Sequence, residues 1–260
     1  MLTSLQIGKN GRLGNQMFQY AALLGTAFVR GYEWKLQDSD DVDLRKVFKM
    51  QNAKILESND IEQLRFRYEE PTFHYSPGNF LVEDNTDLFG YFQSPLYFAN
   101  SFEYLLEDFT FLDHINSAAN SRISLLHQGK PLCSLHVRRG DYLTKQNYHP
   151  PCSIDYYKNA MKMVRDATNE NVTFLCFGDD LGWIEDNLKE NDCIIISGNT
   201  PEVDLRLMTM CNIHIIANSS FSWWGATLGS LRNVIAPEQW FGPDGPKQWD
   251  TLYIDGWNIL

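Results

Sequence analysis

The sequence predicts an α/β fold in two domains, the second built on a mostly parallel sheet covered by helices on both faces. Three observations lead there. From residue 131 onward, short apolar runs rich in β-branched residues alternate with segments of helical period. Polar clusters begin where three of those apolar runs or their neighbours end. The first half opens on an apolar run, a glycine-bearing turn and a helical segment, again the order strand, loop, helix.

The opening run LTSLQI leads through GKNGRLG into a helix over 15–30, in which Phe18, Ala22, Gly25 and Val29 share one close-packing face. Residues 38–115 mix an acidic turn (DSDD, 38–41), aromatics and a helix around 95–107, without repeat. QGKP then interrupts the pattern near residue 128, which divides the chain into domains 1–128 and 129–260. Beyond it, strands are expected at 131–137 (PLCSLHV), 172–178 (VTFLCFG), 193–197 (CIIIS), 213–217 (IHIIA) and 233–237 (NVIAP). Helices fall between them at 153–169, 181–190, 201–211 and 222–232. Tyr156, Ala160 and Met163 form the apolar stripe of the first. Pro201 with the acidic Glu202 and Asp204 marks the start of the third. Ligands of such a sheet sit beyond the carboxyl ends of its strands.

The chain has 260 residues, enough for a sizeable core, and its formal net charge of -11 argues against general binding to nucleic acid or an anionic membrane. An anionic ligand has to be met by a local basic patch. Five cysteines without metal-type spacing read as buried thiols of a reducing compartment. No apolar stretch reaches the roughly 18 residues that span a bilayer, and a cytoplasmic protein is expected.

Four clusters carry chemistry. GRLGNQ (11–16) brings backbone amides to a helix start, where an anion is favoured; the plain alternative is a tight turn with Asn15 as helix cap. HVRRGDY (136–142) places His136 and Arg138 on one side of a strand and Val137 and Arg139 on the other. Arg138 can fork two hydrogen bonds to a phosphate, with Arg139 paired to Asp141; the alternative is a salt-bridged surface turn. In FGDD (177–180), Asp179 or Asp180 can accept from an N–H-rich ring edge, bind metal, or cap a helix. NSSFSWWGA (218–226) supplies Ser219, Ser220 and Ser222 at a helix start, while Trp223 and Trp224 are read as packing residues. DSDD imitates a metal-binding DxD but is read as a solvated turn, and His214 is read as a satisfied core or cleft residue.

Together, GRLGNQMFQYA, HVRRGDY, CSIDYYKNAM, FGDD and NSSFSWWGA resemble the α-1,2-fucosyltransferases of glycosyltransferase family 11 in their compact bacterial form. HxRRxD is shared with α-1,6- and protein O-fucosyltransferases. The GRLGNQMFQYA start and the NSSFSWWGA block favour the α-1,2 branch. The resemblance implies a GT-B-like pair of Rossmann-type domains with the donor site in the cleft between them. It also implies GDP-fucose as donor, inversion at the anomeric carbon, and neither metal nor other cofactor. Arg138 would then hold the β-phosphate and stabilise departing GDP, His136 would face the guanosine or phosphate side, and Asp179 or Asp180 would accept from guanine. Asn218, Ser219, Ser220 and Phe221 would meet the donor, and Gly14, Asn15 and Gln16 would approach it from the other domain. Asp141 is the candidate base. The implied acceptor is the 2-hydroxyl of a terminal β-galactoside, free or on a lipid-linked glycan at the inner membrane face. Competing readings are another GDP-sugar transferase, a nucleotide- or glycan-binding module without turnover, and a metal-dependent hydrolase.

Overall fold

The computed structural model describes residues 1–126 and 129–260. The chain forms two compact units, one of Met1–Leu112 with Gln248–Tyr253, the other of Asp113–Lys247 with Ile254–Leu260. This division differs from the boundary read near residue 128, a residue that itself lies outside the described ones.

The N-terminal unit contains β1 (Leu2–Thr3), α1 (Leu13–Arg30), β2 (Lys35–Leu36), α2 (Leu44–Val47), β3 (Lys54–Ile55), α3 (Ser58–Glu62), β4 (Phe66–Glu69), β5 (Thr86–Phe89) and α4 (Phe102–Asp108). Its strands pair in parallel as a three-stranded sheet, β1-β5-β4, and a β2-β3 pair. The opening run LTSLQI is strand only at Leu2–Thr3, then breaks into turns. In place of one helix over 95–107, two 3-10 turns, Pro95–Tyr97 and Ala99–Ser101, precede α4.

α1 starts at Leu13, earlier than the periodicity indicated, and buries almost its whole length; Phe18 and Ala22 are in the core, whereas Val29 is 46% exposed in the last turn. Gly25 is where the helix comes closest to the segment before α4. A Cβ built there would lie 2.1 Å from the Tyr97 carbonyl oxygen. Gly25→Ala is therefore expected to cost about 1–3 kcal/mol as an overpacking substitution, read as a lowered urea midpoint with unchanged slope.

The C-terminal unit begins with α5 (Asp113–Leu126), followed by β6 (Leu132–Val137), α6 (Ile154–Thr168), β7 (Thr173–Gly178), α7 (Leu181–Asn187), β8 (Cys193–Ile195), α8 (Pro201–Thr209), β9 (Ile213–Ile215), α9 (Ser220–Thr227), β10 (Val234–Ala236) and β11 (Asn258–Ile259). The strands form one parallel sheet in the order β11-β10-β9-β6-β7-β8. β6 is buried along its whole length, as a strand covered on both faces must be, which explains its unbroken apolar run. α5 belongs to this unit because Ala119 and Leu126 share a core cluster with Leu175 of β7 and Leu207 of α8.

The stripe of α6 is Tyr156, Tyr157, Ala160, Met161 and Val164; Met163, placed on it by the sequence, is 38% exposed. Packing beneath a sheet selects a broader face than a single i, i+4 line. The Tyr156 hydroxyl donates to the carbonyls of Ile216 (2.6 Å) and Ile235 (3.2 Å), tying α6 to the sheet. Trp223 and Trp224 of α9 are fully buried, edge to face at 4.9 Å. Cys133, Cys176, Cys193 and Cys211 are buried free thiols. No helix among the described residues is long and apolar enough to cross a membrane.

Candidate functional site

The strand order reverses at β6: β7 lies on one side and β9 on the other. In open parallel sheets this switch point opens a crevice beyond the strands' carboxyl ends. Three of the four clusters meet there, following β6, β7 and β9.

β6 ends in His136 and Val137, and the chain turns through a 3-10 segment, Gly140–Thr144. Arg138 pairs with Asp141 through one terminal nitrogen and with Asp179 through the other at 2.7 Å. The Asp179 Oδ1 also accepts the backbone N–H groups of Arg139 (2.8 Å) and Gly140 (3.2 Å). One carboxylate thus holds both the arginine and the loop that presents it. The fit is close, since a Cβ on Gly140 would lie 2.6 Å from Asp179 Oδ2.

The expected Arg139–Asp141 pair does not form. Asp141 turns back to Arg138 across the 3-10 turn, while Arg139 leaves on the opposite side of the strand, reaches Asp180 Oδ2 at 3.1 Å and lies over the Trp183 ring at 4.5 Å. Asp180 also caps α7, its Oδ1 accepting the Trp183 N–H at 3.1 Å. Both aspartates of FGDD are therefore engaged by the basic loop.

His136 is 7% exposed, and its Nδ1 has no hydrogen-bond partner among the described residues. Burial pushes its pKa down to about 4, with Asp179 opposing and Arg138 assisting. At neutral pH the ring is uncharged and offers a hydrogen bond rather than a cation. Its centroid lies 5.8 Å from that of Phe221.

After β9, Ser219 caps α9, its hydroxyl accepting the Phe221 N–H, and Ser220 begins the helix beside the crevice. Asn218 has a different task. Its amide nitrogen donates to the carbonyls of Pro150 (2.9 Å) and Trp240 (3.0 Å), and its own carbonyl accepts the Tyr142 hydroxyl at 3.0 Å. Tyr142 further stacks on His149 at 4.8 Å and lies 5.3 Å from the Arg138 guanidinium. Tyr142, His149 and Trp183 are site residues the sequence reading did not single out. Tyr142 closes the HVRRGDY motif; nothing in local sequence marks the other two. His214 is a satisfied core residue, its Nδ1 2.8 Å from Ser134 Oγ.

Gly14, Asn15 and Gln16 belong to the N-terminal unit, inside the first turn of α1. The cap is Arg12, not Asn15, and the Asn15 and Gln16 N–H groups both bond to the Arg12 carbonyl, at 2.9 and 3.1 Å. Asn15 Oδ1 accepts from Gln93 Nε2 at 2.9 Å. Gln16 is buried and braces the acidic turn, accepting the Asp43 N–H at 2.8 Å and donating to the Asp41 carbonyl at 3.2 Å. DSDD itself is exposed, as a solvated turn should be.

The comparisons agree with this architecture. The chain is 31% identical to an alpha-1,2-colitosyltransferase of Escherichia coli, covering 89% of this chain and 90% of that protein. It is 29% identical to the Escherichia coli O-antigen biosynthesis glycosyltransferase WbnK, over 95% and 97%. Human galactoside alpha-(1,2)-fucosyltransferase 1 is 27% identical over 89% of this chain and 68% of its own length. Among solved structures, the Bradyrhizobium fucosyltransferase NodZ superposes with a TM-score of 0.54 at 11% identity, covering 88% and 91% of the two chains. A mutant of Arabidopsis thaliana FUT1 in complex with GDP gives 0.58 at 9% identity, covering 90% and 69%. The fold is the α/β GT-B type of these enzymes. The model of glycosyl transferase family 11 matches residues 3–260, nearly the whole sequence, and the chain belongs to that family.

Proposed function

We propose that this family 11 glycosyltransferase moves L-fucose from GDP-fucose, with inversion, to the 2-hydroxyl of a terminal β-galactoside. The observation that carries the reading is Arg138. It is a guanidinium at the sheet's switch point, aimed by Asp179 and balanced by Asp141, beside the uncharged His136. Relatives named for α-1,2 transfer of fucose or colitose support the linkage.

In this reading the donor's diphosphate takes the place of Asp141 on Arg138, which Asp179 goes on holding. The acceptor oxygen attacks the anomeric carbon, the bond from that carbon to the phosphate oxygen breaks, and its electron pair leaves with GDP. Arg138 stabilises the charge that develops there, and the α9 start at Ser219–Ser220 contributes backbone dipole. Asp141, displaced from Arg138, takes the hydroxyl proton. His136 Nδ1 bonds a donor oxygen. Arg138 and the helix start supply the positive charge, so the reaction proceeds without a divalent cation, and full activity is expected in excess chelator.

The test is a panel of β-galactosides incubated with GDP-fucose, the product linkage being read by NMR. A 1→2 α-fucosyl product supports the reading; a 1→6 or peptide-linked product, or GDP binding without turnover, overturns it. The colitosyltransferase likeness motivates a second donor reading, in which the sugar lacks the 3-hydroxyl of fucose. Competition between GDP-fucose and GDP-colitose decides between them.

A further inference from the structure

Glu70 follows β4 in the N-terminal unit, and the reaction described above makes no use of it. Its Oε2 accepts two consecutive backbone N–H groups, Tyr91 at 2.8 Å and Phe92 at 2.9 Å, and its Oε1 accepts the Tyr97 hydroxyl at 3.3 Å. The segment it grips is strained. Phe92 has φ of 51°, in the left-handed region that bulky residues seldom adopt. The grip is close as well, for a Cβ on Gly90 would lie 2.3 Å from Glu70 Cβ.

The same segment reaches the glycine loop before α1. The Tyr91 hydroxyl donates to Asn10 Oδ1 and Gln93 Nε2 donates to Asn15 Oδ1, both at 2.9 Å. From the loop side, Gln6 Nε2 donates to the Gly90 carbonyl. Asn10 and Asn15 flank Gly11–Gly14. Asn10 is bonded by the side chain of Tyr91, whose N–H Glu70 accepts, and Asn15 by that of Gln93, the residue after Phe92, whose N–H Glu70 also accepts.

We propose that Glu70 is a positioning residue for transfer: its ionised carboxylate holds Gly90–Gln93 in the turn that fixes Asn10 and Asn15, and thereby the helix start at Gly14. The inference rests on the transferase reading above and on the expectation, implied by the family resemblance of the sequence, that Gly14 and Asn15 meet the nucleotide sugar.

A carboxylate kept here works against stability. Burial raises Glu70 to about 7, against the bonds from Phe92, Tyr91 and Tyr97 that lower it. The titratable groups facing it are the hydroxyls of Tyr97 and Tyr68, both raised by burial and by Glu70 itself. Because the native state binds this proton more tightly than the unfolded chain does, stability falls as pH rises from about 4.5 to about 7. A strained turn gripped by a buried carboxyl is the kind of local cost that functional sites carry.

Glu70→Gln separates the two roles. At pH 8 the variant is expected to lose about 10-fold in kcat/KM, mainly through the KM for GDP-fucose, since misplacing a binding group costs on that order or more. Its Tm is expected to equal or exceed that of the wild type, because the buried charge is gone. Wild-type kcat/KM should fall on the acid side of about pH 7, a limb the variant lacks. Unchanged kcat/KM, or a loss matched by a fall in Tm, overturns the proposal. If Glu70→Gln does not fold, Gln93→Ala carries the test, cutting the tie to Asn15 with the same expected rise in KM; an unchanged KM there overturns it equally. Arg138→Ala is assayed alongside. Lost turnover in that variant with none lost in Glu70→Gln rejects Glu70 alone, whereas retained turnover in Arg138→Ala rejects the donor reading itself.

Discussion

Arg138→Ala is expected to lower turnover of GDP-fucose by roughly 100-fold or more, comparable to deleting one donor of an oxyanion hole. The guanidinium is the cation that Asp179 and Asp141 both hold at the carboxyl end of β6. In the proposed mechanism its removal takes away charge that the departing diphosphate needs and leaves two carboxylates facing an anionic donor. Two effects are thus superimposed, and a second variant separates them. Arg138→Ala combined with Asp141→Asn should regain part of the donor affinity by relieving repulsion, without regaining turnover. Arg138→Lys should restore little, since an ammonium cannot fork to two partners as this side chain does. Steady-state kcat and donor KM for the three variants check the argument, and a fully active Arg138→Ala removes the basis for the proposed mechanism.

Asp179→Ala is expected to cost up to about 100-fold in kcat/KM although the side chain transfers nothing, because catalytic groups misplaced by about 1 Å lose on that order. Asp179 accepts the N–H groups of Arg139 and Gly140 and pairs with Arg138 at 2.7 Å. Without it those amides turn to water and Arg138 swings toward Asp141, its other carboxylate partner. Asp179→Asn keeps an acceptor for the loop amides but loses the charge on Arg138. It should fall between the wild type and alanine if loop and arginine are held independently. A calorimetric GDP titration alongside kinetics distinguishes lost binding from lost turnover; equal activity in Asp179→Ala and the wild type would falsify the bracing role.

Which elements were legible follows from their burial. β6, β7 and β10 are buried along nearly their whole length, and strands covered on both faces write themselves as continuous apolar runs rich in β-branched residues. β8 at the sheet edge is half-buried but carries the same kind of run. β11 is two residues, Asn258–Ile259, too short to show any period. α5 carries Ile115, Ala119, Ile123 and Leu126 at helical spacing, a stripe diluted by Asn, Ser and the exposed Leu125, and the sequence reading does not single it out. In α1 and α6 the helices were legible but their faces were misread at Val29 and Met163, because the end of a helix and the width of its contact depend on the neighbour.

The sequence by itself determined the alternation of strands and helices, the position of three polar clusters after strand ends, and that Trp223 and Trp224 pack and His214 is satisfied rather than a ligand. These depend on local periodicity and on the rule that parallel sheets bind at their carboxyl ends. Only the tertiary structure decided the partners: Arg138 with Asp141 and Asp179, Arg139 with Asp180, Asn218 with Pro150 and Trp240, and Glu70 with the Tyr91–Phe92 turn. The physical reason is reach. A hydrogen bond or ion pair acts over about 3 Å, and which groups come that close is set by strand adjacency and register, with His136 of β6 opposite Phe177 of β7. The spacing of residues along the chain does not contain that register.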